Sequence, residues 1–231
     1  MPVAVIADIV SSRASTSRDD VQREIETSAV EVDRTYPRAV LPWYPTVGDE
    51  FQATFRTIED ALVSTLYLQL ALPENVGCRF GLGVGGVVTV ASQLADRIQD
   101  GPGWWAARAA VEHAHALEDG KLHGARSWLV VDEDASAHER GMAGVVNAYL
   151  LARDQSIADM GPRARRAAFD LWRGLPQKEI AASEGISPSA VSQALGKPIV
   201  RVLRLGAEEI GRSARARVGT DEIERVISAR P

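Results

Sequence analysis

The order of strand-like and helix-like segments in the first 90 residues constrains the fold of this chain more than any other feature. Residues 3–10 form a run of β-branched and small apolar side chains, broken only by Asp8, which predicts a strand buried on both faces. The patterns that follow predict a helix at 17–35, strands at 40–44 and 51–55, a helix at 58–72 and a strand at 79–90. The predicted order is therefore β-α-β-β-α-β.

This order is typical of a ferredoxin-like domain, in which an antiparallel sheet carries both helices on one face. We therefore predict an α+β fold, with a tight hairpin turn at residues 46–49 joining the two short strands. The last strand is rich in glycine, which permits close approach of a ligand or a partner subunit, or marks bulges. These glycines are Gly81, Gly83, Gly85 and Gly86.

A helix at 104–117, a strand at 128–131 and a helix at 141–158 complete this first domain. The stretch Asp-Met-Gly-Pro at residues 159–162 interrupts the helical pattern, so the boundary is placed there. We predict a ferredoxin-like α/β domain at residues 1–159 and a small all-α domain at 160–217. The remaining residues, 218–231, are predicted to be a tail or a short helix.

Three short helical patterns follow one another closely between residues 163 and 196. Pro176 suits the first turn of the second helix. Gly185 suits a sharp turn in which one residue adopts the left-handed backbone conformation. Ser187 is expected to cap the third helix, with Pro188 at its first position. Val191 and Leu195 should then pack inward.

Charge is distributed unevenly along the chain, whose net charge is −5 at pH 7. Residues 161–217 contain eleven Lys and Arg against five Asp and Glu, which makes this segment +6 and leaves −11 for the remainder. A basic block on an acidic chain is typical of a DNA-binding module joined to a domain that does not bind DNA. Solvated surface charge is the alternative interpretation.

The basic segment resembles the helix-turn-helix of MarR-like and sigma-region-4-like regulators, through the pattern Q-x-x-I-A-x-x-x-G-I-S-x-S-x-V-S at residues 177–192. Short polar side chains at the start of such a second helix can reach base edges of double-stranded DNA, while lysines hold phosphates. The predicted DNA-binding residues are Gln177, Lys178, Ser187, Ser189, Ser192, Gln193 and Lys197. A helical bundle that only packs on its neighbour or dimerises is the alternative. Apolar residues that recur after residue 198 favour a homodimer.

Acidic residues occur where predicted strands end. Asp8 lies near the end of the first strand, and Asp49 and Glu50 lie at the hairpin turn. Because the first strand of a ferredoxin-like sheet lies beside the hairpin, we expect these carboxylates to meet at one edge. Mg²⁺, or Mn²⁺ in its place, binds to one or two carboxylates together with phosphate oxygens.

The segments ADIVSS, TVGDEFQATF, RFGLGVGGVV and GPGWWAARAA resemble the successive motifs of class III nucleotide cyclases over residues 3–118, and GDEF also resembles diguanylate cyclases. The resemblance implies that Asp8 and Asp49 are metal carboxylates and that Arg108 stabilises a transferred phosphate. It also implies that the backbone amides of Ser11 and Ser12 bind a triphosphate. Gly48, Glu50 and Trp104 complete the predicted purine-nucleotide site.

The chain departs from the cyclase pattern at the groups that read the base and assist the reaction. Trp104 occupies the position of an asparagine four residues before the arginine, and Tyr44 and Pro45 occupy that of the base-reading lysine. Each loss costs on the order of a hundredfold in rate, so we expect nucleotide binding rather than turnover. The tryptophans at 104 and 105 either stack on a purine or pack in the core.

The chain as a whole resembles the SatD family, whose members combine such a domain with a C-terminal helix-turn-helix. Three functions fit these features: a DNA-binding transcription regulator that senses a purine nucleotide, an active nucleotidyl cyclase whose helix-turn-helix localises or dimerises it, and a non-catalytic interaction protein. A single cysteine excludes an internal disulfide. With no signal-peptide pattern and no apolar run of about 18 residues, a cytoplasmic location without membrane contact is expected.

Overall fold

A computed structural model describes residues 1–11, 18–46, 50–73, 76–90, 99–120 and 122–228, with the backbone alone for residues 11, 18, 19 and 218–228. The strands are β1 (Val3–Ser11), β2 (Ala39–Pro45), β3 (Glu50–Phe55), β4 (Val76–Val84), β5 (Val88–Thr89), β6 (Gln99–Asp100) and β7 (Ser127–Val131). The helices are α1 (Arg18–Thr35), α2 (Ile58–Ala71), α3 (Pro102–Asp119), α4 (Ala137–Ala158), α5 (Pro162–Trp172), α6 (Gln177–Ser183), α7 (Pro188–Leu195) and α8 (Pro198–Ser228). The predicted α+β class is confirmed.

Within the described ranges, five strands form the main sheet in the order β2-β3-β1-β4-β7. Neighbours among the first four strands are antiparallel, whereas β7 runs parallel to β4. A parallel neighbour needs a crossover connection, and α3 lies in the chain segment that makes it. The sheet is therefore mixed, because a fifth strand has been added at the edge of an antiparallel four-stranded unit.

The central strand β1 is buried on both faces, as its sequence predicted. Val3, Val5 and Ala7 belong to the main hydrophobic core, which also holds the apolar faces of α1 and α2. Ala4 and Ile6 face the other way and pack in a second, smaller core against α3. Helices therefore cover both faces of the sheet.

The glycines of β4 allow α3 to lie directly against the sheet. A Cβ atom added at Gly83 would lie 2.0 Å from the carbonyl oxygen of Gly103, and one added at Gly81 would lie 2.1 Å from that of Ala107. Both distances are far below van der Waals contact, so no larger residue fits while α3 keeps its position. The close approach permitted by these glycines is therefore made by a helix of the same chain.

The predicted strand at 79–90 was wrong in extent. β4 begins at Val76 and ends at Val84, and the chain then leaves the sheet at Gly85 and Gly86. The carbonyl of Gly86 accepts a hydrogen bond from Gly103 N–H at 3.0 Å, which ties this turn to the start of α3. A separate two-stranded sheet, β5 with β6, follows.

Helix α4 covers the outer edge of the sheet. The side-chain amide of Asn147 accepts a hydrogen bond from Leu129 N–H at 2.8 Å and donates one to Leu129 C=O at 3.0 Å. These two bonds satisfy backbone groups of β7, the edge strand, that would otherwise be unpaired. The fully buried Arg153 of the same helix donates to Thr65 Oγ1 at 3.0 Å and to Ser127 Oγ at 2.7 Å, which ties α4 to α2 and β7.

Helices α5 and α8 pack on α2, and α6 and α7 pack on α5 and on each other. The ring of Tyr67 in α2 contacts Phe169 and Trp172 of α5, with centroid separations of 6.1 and 5.8 Å. Side chains of β1 and of α7 and α8 belong to one continuous hydrophobic core. The helical pattern is interrupted where the sequence predicted, between Ala158 and Pro162, but hydrophobic packing continues across that break.

Residues 218–228 of the predicted tail or short helix are instead part of α8, and residues 229–231 lie outside the described residues. This helix is continuous over 31 residues, and no proline follows Pro198 within it. Even so, none of the helices that the structure describes is long and apolar enough to cross a membrane.

Candidate functional site

Two predicted site carboxylates lie directly opposite each other in the sheet. Asp8 near the end of β1 is the Cα partner of Glu50 in β3 and of Arg79 in β4. Directly opposite residues in an antiparallel pair lie about 4.5–5.5 Å apart and face the same side. Asp8 follows Ala4 and Ile6 at spacings of two, so all three side chains are on the face covered by α3.

Asp8 belongs to a chain of ion pairs that links the sheet to α3. The Nη1 atom of Arg79 lies 3.2 Å from Asp8 Oδ2, and its Nε donates to Glu118 Oε2 at 2.7 Å. Arg126 binds the other oxygen of Glu118. Arg79 and Glu118 are largely buried, whereas the Asp8 side chain is 36% exposed. The position of Asp8 is therefore fixed by Arg79 while one side stays open to solvent.

Glu50 has a different arginine partner. Arg108 of α3 donates from Nη2 to Glu50 Oε2 at 2.5 Å, and Gln52 donates to Oε1 at 2.8 Å. The Arg108 side chain is 48% exposed, so it can leave Glu50 for another anion at small desolvation cost. We call Asp8, Glu50, Arg79, Arg108 and Glu118 the carboxylate cluster.

The carboxylate cluster contains oxygen ligands suited to a hard cation, but its carboxylates are already paired with arginines. Asp8 and Glu50 present oxygen ligands from adjacent strands, as Mg²⁺ or Mn²⁺ with a bound phosphate requires. Each of these carboxylates already faces an arginine. A cation can therefore bind only by replacing or sharing these guanidinium contacts.

Part of the predicted nucleotide site lies outside the described residues. This applies to Ser12, Gly48 and Asp49, and Ser11 is described only by its backbone as the last residue of β1. Among the residues that are described, no group of three or more His, Cys, Asp or Glu side chains is arranged to hold a metal ion. The metal pair of Asp8 with Asp49 stays a prediction.

Trp104 is a core residue, which corrects its assignment to the nucleotide site. It is 7% exposed and packs with Ala4, Ile6 and Val111 between α3 and the sheet. Its ring is therefore covered by the chain's own side chains and offers no free face to a purine. Trp105 is 64% exposed instead, and its Nε1 donates to Asp100 Oδ1 at 3.1 Å.

Helices α6 and α7 form a second candidate site. Val191 and Leu195 of α7 are buried as predicted, together with Ile180 and Ala181 of α6. Gly185 between the helices has φ +63°, the left-handed conformation that its position required. These apolar contacts and this turn fix the angle between the two helices.

The start of α7 is capped as expected. Ser187 Oγ accepts a hydrogen bond from Ala190 N–H at 3.2 Å and lies 2.9 Å from Ser189 Oγ, and Pro188 is in the first turn. All seven predicted DNA-binding side chains are exposed: Gln177, Lys178, Ser187, Ser189, Ser192, Gln193 and Lys197. The polar face of α7 is therefore available to a ligand.

Comparison with known proteins gives one family. The sequence model of the SatD family matches residues 2–204. The chain belongs to the SatD family. No curated protein matches it. The SatD span includes the carboxylate cluster and the α6–α7 pair, so both candidate sites lie inside the segment that defines the family.

The two candidate sites of this SatD-family chain are separated by the sheet. The carboxylate cluster lies on the face covered by α3, whereas α5 and α8 pack on α2 at the other face. Tyr67 provides the contact between α2 and α5. The sheet and α2 therefore lie between the two sites.

Sequence reasoning missed two residues of the carboxylate cluster, Arg79 and Glu118. Arg79 is the charged residue that begins the glycine-rich half of β4, and it lies opposite Asp8 once the two strands are paired. Counting back from the glycines at alternate positions would have placed Arg79 on the same face. Glu118 lies in the last turn of α3, and only the packing of α3 on the sheet brings it to Arg79.

Proposed function

We propose that this SatD-family chain is a DNA-binding transcription regulator whose N-terminal domain binds a purine nucleotide together with Mg²⁺. The observation that carries the proposal is the exposed polar face of α7. This helix follows Gly185, which has the left-handed conformation, and its opposite face is buried through Val191 and Leu195. This arrangement supports a helix-turn-helix. The nucleotide-binding part rests on the carboxylate cluster.

The polar face of α7 fits base recognition. Ser189, Ser192 and Gln193 are spaced three and four residues apart, so they share one side of the helix. Glutamine can bond bidentately to adenine in the major groove, and serine can bond to either kind of base. Lys178 and Lys197 are exposed outside α7, where cations contact phosphates without reading sequence.

The N-terminal domain is proposed to have a ferredoxin-like palm of the cyclase type. The order β2-β3-β1-β4 with antiparallel neighbours supports this, as does the packing of α1 and α2 on one face. Asp8 would hold Mg²⁺, and Arg108 would turn from Glu50 towards a phosphate. Bound Mg²⁺ would neutralise phosphate charge.

Binding without turnover is favoured by Trp104. Class III cyclases have an asparagine at this position, which donates a hydrogen bond during the reaction. The indole of Trp104 is instead buried against Ala4 and Ile6, so this position offers no hydrogen bond to a substrate. Loss of such a contact lowers the rate by about 10²–10³.

The proposal is tested by selecting sites from a random double-stranded DNA library with the full chain, followed by gel shifts at rising salt. We expect an enriched sequence and binding that weakens with salt. Recovery of an unenriched library together with salt-independent binding would contradict a sequence-specific regulator. Incubation of the protein with ATP or GTP and Mn²⁺, followed by chromatography, tests the cyclase alternative, which requires a cyclic product.

A further inference from the structure

The first turn of α3 carries an exposed aromatic side chain that the carboxylate cluster does not use. Trp105 is 64% exposed, and Val88 of β5 is 61% exposed. Val88 is the Cα partner of Asp100 in β6, so these two side chains share one side of the two-stranded sheet. Since Asp100 also contacts Trp105, the valine and the indole both lie next to this carboxylate and leave an apolar patch open to solvent.

The indole of Trp105 is tied to Asp100 by a hydrogen bond. Its Nε1 donates to Asp100 Oδ1 at 3.1 Å, and the same oxygen accepts from Gly101 N–H at 2.7 Å. The other oxygen, Oδ2, receives no hydrogen bond from any residue that the structure describes. Because the indole is already restrained, a planar ligand that stacks on it loses less side-chain entropy on binding. The ring is therefore a preformed platform with a carboxylate oxygen at its edge.

Opposite charges lie at the two ends of this platform. Asp100 precedes α3, whereas Arg108 follows Trp105 by three residues and lies about one turn further along the same side of the helix. Arg108 is 48% exposed, and it is the group that the proposed function turns towards a phosphate. A ligand that stacks on Trp105 therefore meets a carboxylate at one end and a guanidinium at the other.

A guanine nucleotide matches this order of groups. Every base can stack on an indole, so stacking alone does not choose between bases. Guanine carries two adjacent donors, N1–H and the N2 amino group, on the edge away from its ribose, whereas adenine presents only its N6 amino group there. Hydrogen bonds from such donors to a carboxylate are charge-assisted. With this edge at Asp100 Oδ2, the ribose and the phosphates extend towards Arg108.

We propose that the bound nucleotide is a guanine nucleotide, with its base stacked on Trp105 and its N1–H and N2 donors bound to Asp100. The inference rests on the proposed function, because it uses the same Arg108, and it adds the identity of the base. Asp8 and Glu50 would contact only metal and phosphate, which GTP and ATP share. Discrimination between the two nucleotides therefore falls to Trp105 and Asp100.

Calorimetric titrations of the full chain with GTP and with ATP, at fixed Mg²⁺, test the choice of base. We expect GTP to bind at least about fivefold more tightly, because only guanine has two donors for Asp100. Asp100→Asn keeps one oxygen that can accept from Trp105 but replaces Oδ2 with a donor. This variant should lose the preference for GTP and bind ATP as wild type does. Equal affinity of wild type for the two nucleotides, or a preference unchanged by Asp100→Asn, overturns the proposal.

Variants of Trp105 locate the base. Trp105→Ala should lower GTP affinity at least about fivefold, whereas Trp105→Phe keeps an aromatic face and should bind within about threefold of wild type. The indole N–H signal that is missing from the NMR spectrum of Trp105→Phe should shift when GTP is added to wild type. Trp128→Phe is the matched control, since Trp128 contacts His113 instead, and it should bind GTP like wild type. Equal GTP affinity of Trp105→Ala and wild type overturns the assignment.

Asp8→Asn separates this assignment from the proposed function. If Asp8→Asn loses Mg²⁺-dependent GTP binding while Trp105→Ala retains it in full, the carboxylate cluster stands as the nucleotide site and the stacking assignment alone is overturned. If neither GTP nor ATP binds to the wild-type chain, the proposed nucleotide function fails, and the assignment of the base fails with it.

Discussion

Asp8 and Glu50 lie opposite each other on neighbouring strands, and each carboxylate is bound by a different arginine. Two like charges so close together would repel in the absence of counter-charges. Arg79 and Arg108 supply these counter-charges, which allows the pair to persist without a metal ion. The site is therefore held in place by contacts that a cation and a phosphate can take over.

The Arg79 contact should limit metal affinity. Replacing Arg79 with Gln removes the cation that competes for Asp8, so we expect Mn²⁺ to bind several-fold more tightly in a calorimetric titration. Arg126→Gln is the control, because Arg126 binds Glu118 rather than Asp8. Unchanged Mn²⁺ affinity in the Arg79 variant would remove Asp8 from the metal site.

The glycine-to-helix contact should be essential for stability. Gly83→Ala places a methyl group 2.0 Å from the Gly103 carbonyl, so α3 must move away from the sheet. We expect a loss of about 3 kcal/mol in the free energy of unfolding, measured by urea denaturation. Gly77→Ala is the control on the same strand, because the nearest atom to its added Cβ is 3.8 Å away. Similar stabilities of the two variants would contradict the role given to Gly83.

The sequence predicted the elements better than the contacts between them. Runs of apolar residues at spacings of two or three to four located the strands and helices, and Gly185 and Ser187 located the turn and cap of α7. These features depend on nearby residues alone. The fifth strand's parallel pairing with β4 depends instead on where α3 crosses the sheet.

The candidate site was only partly predictable for the same reason. Asp8 and Glu50 meet at one edge of the sheet as expected, because strand order in the predicted sheet follows from element order, whereas Asp49, the predicted metal partner of Asp8, lies outside the described residues. Trp104 was misassigned, since an aromatic residue after a loop gives no indication of which side of the helix meets the sheet. Glu118 reaches Arg79 across 39 positions of sequence, a contact that no local pattern encodes.

Base reading by α7 should depend on single side chains. Ser192→Ala and Gln193→Ala each remove an exposed polar group, so we expect each to lower the preference for the selected DNA by about 1–3 kcal/mol per lost base contact. Competition binding at fixed salt measures this preference. Gln155→Ala, at an exposed glutamine of α4, should leave it unchanged. Loss of preference in the Gln155 variant alone would place the DNA elsewhere on the chain.

Stability should fall as Asp33 ionises. Burial raises the pKa of Asp33 from 3.8 to about 6, although the hydrogen bond from Trp43 N–H at 3.0 Å opposes this rise. The folded state therefore binds the Asp33 proton more tightly than the unfolded state does. The protonated carboxyl contributes its full stabilisation of the folded state below about pH 4, and this contribution is lost as pH rises through 6. We expect Asp33→Asn to gain stability relative to wild type between pH 4 and pH 7 in thermal melts. A constant difference across that range would contradict the assignment.

The most direct test of the regulator measures DNA affinity by fluorescence anisotropy, with and without ATP or GTP and Mg²⁺, at fixed ionic strength. We predict that one nucleotide changes the Kd for the selected DNA at least about fivefold in wild type. Asp8→Asn should keep the nucleotide-free affinity and lose the change. Identical DNA affinity with and without either nucleotide in the wild-type chain would contradict the coupling of the carboxylate cluster to α7.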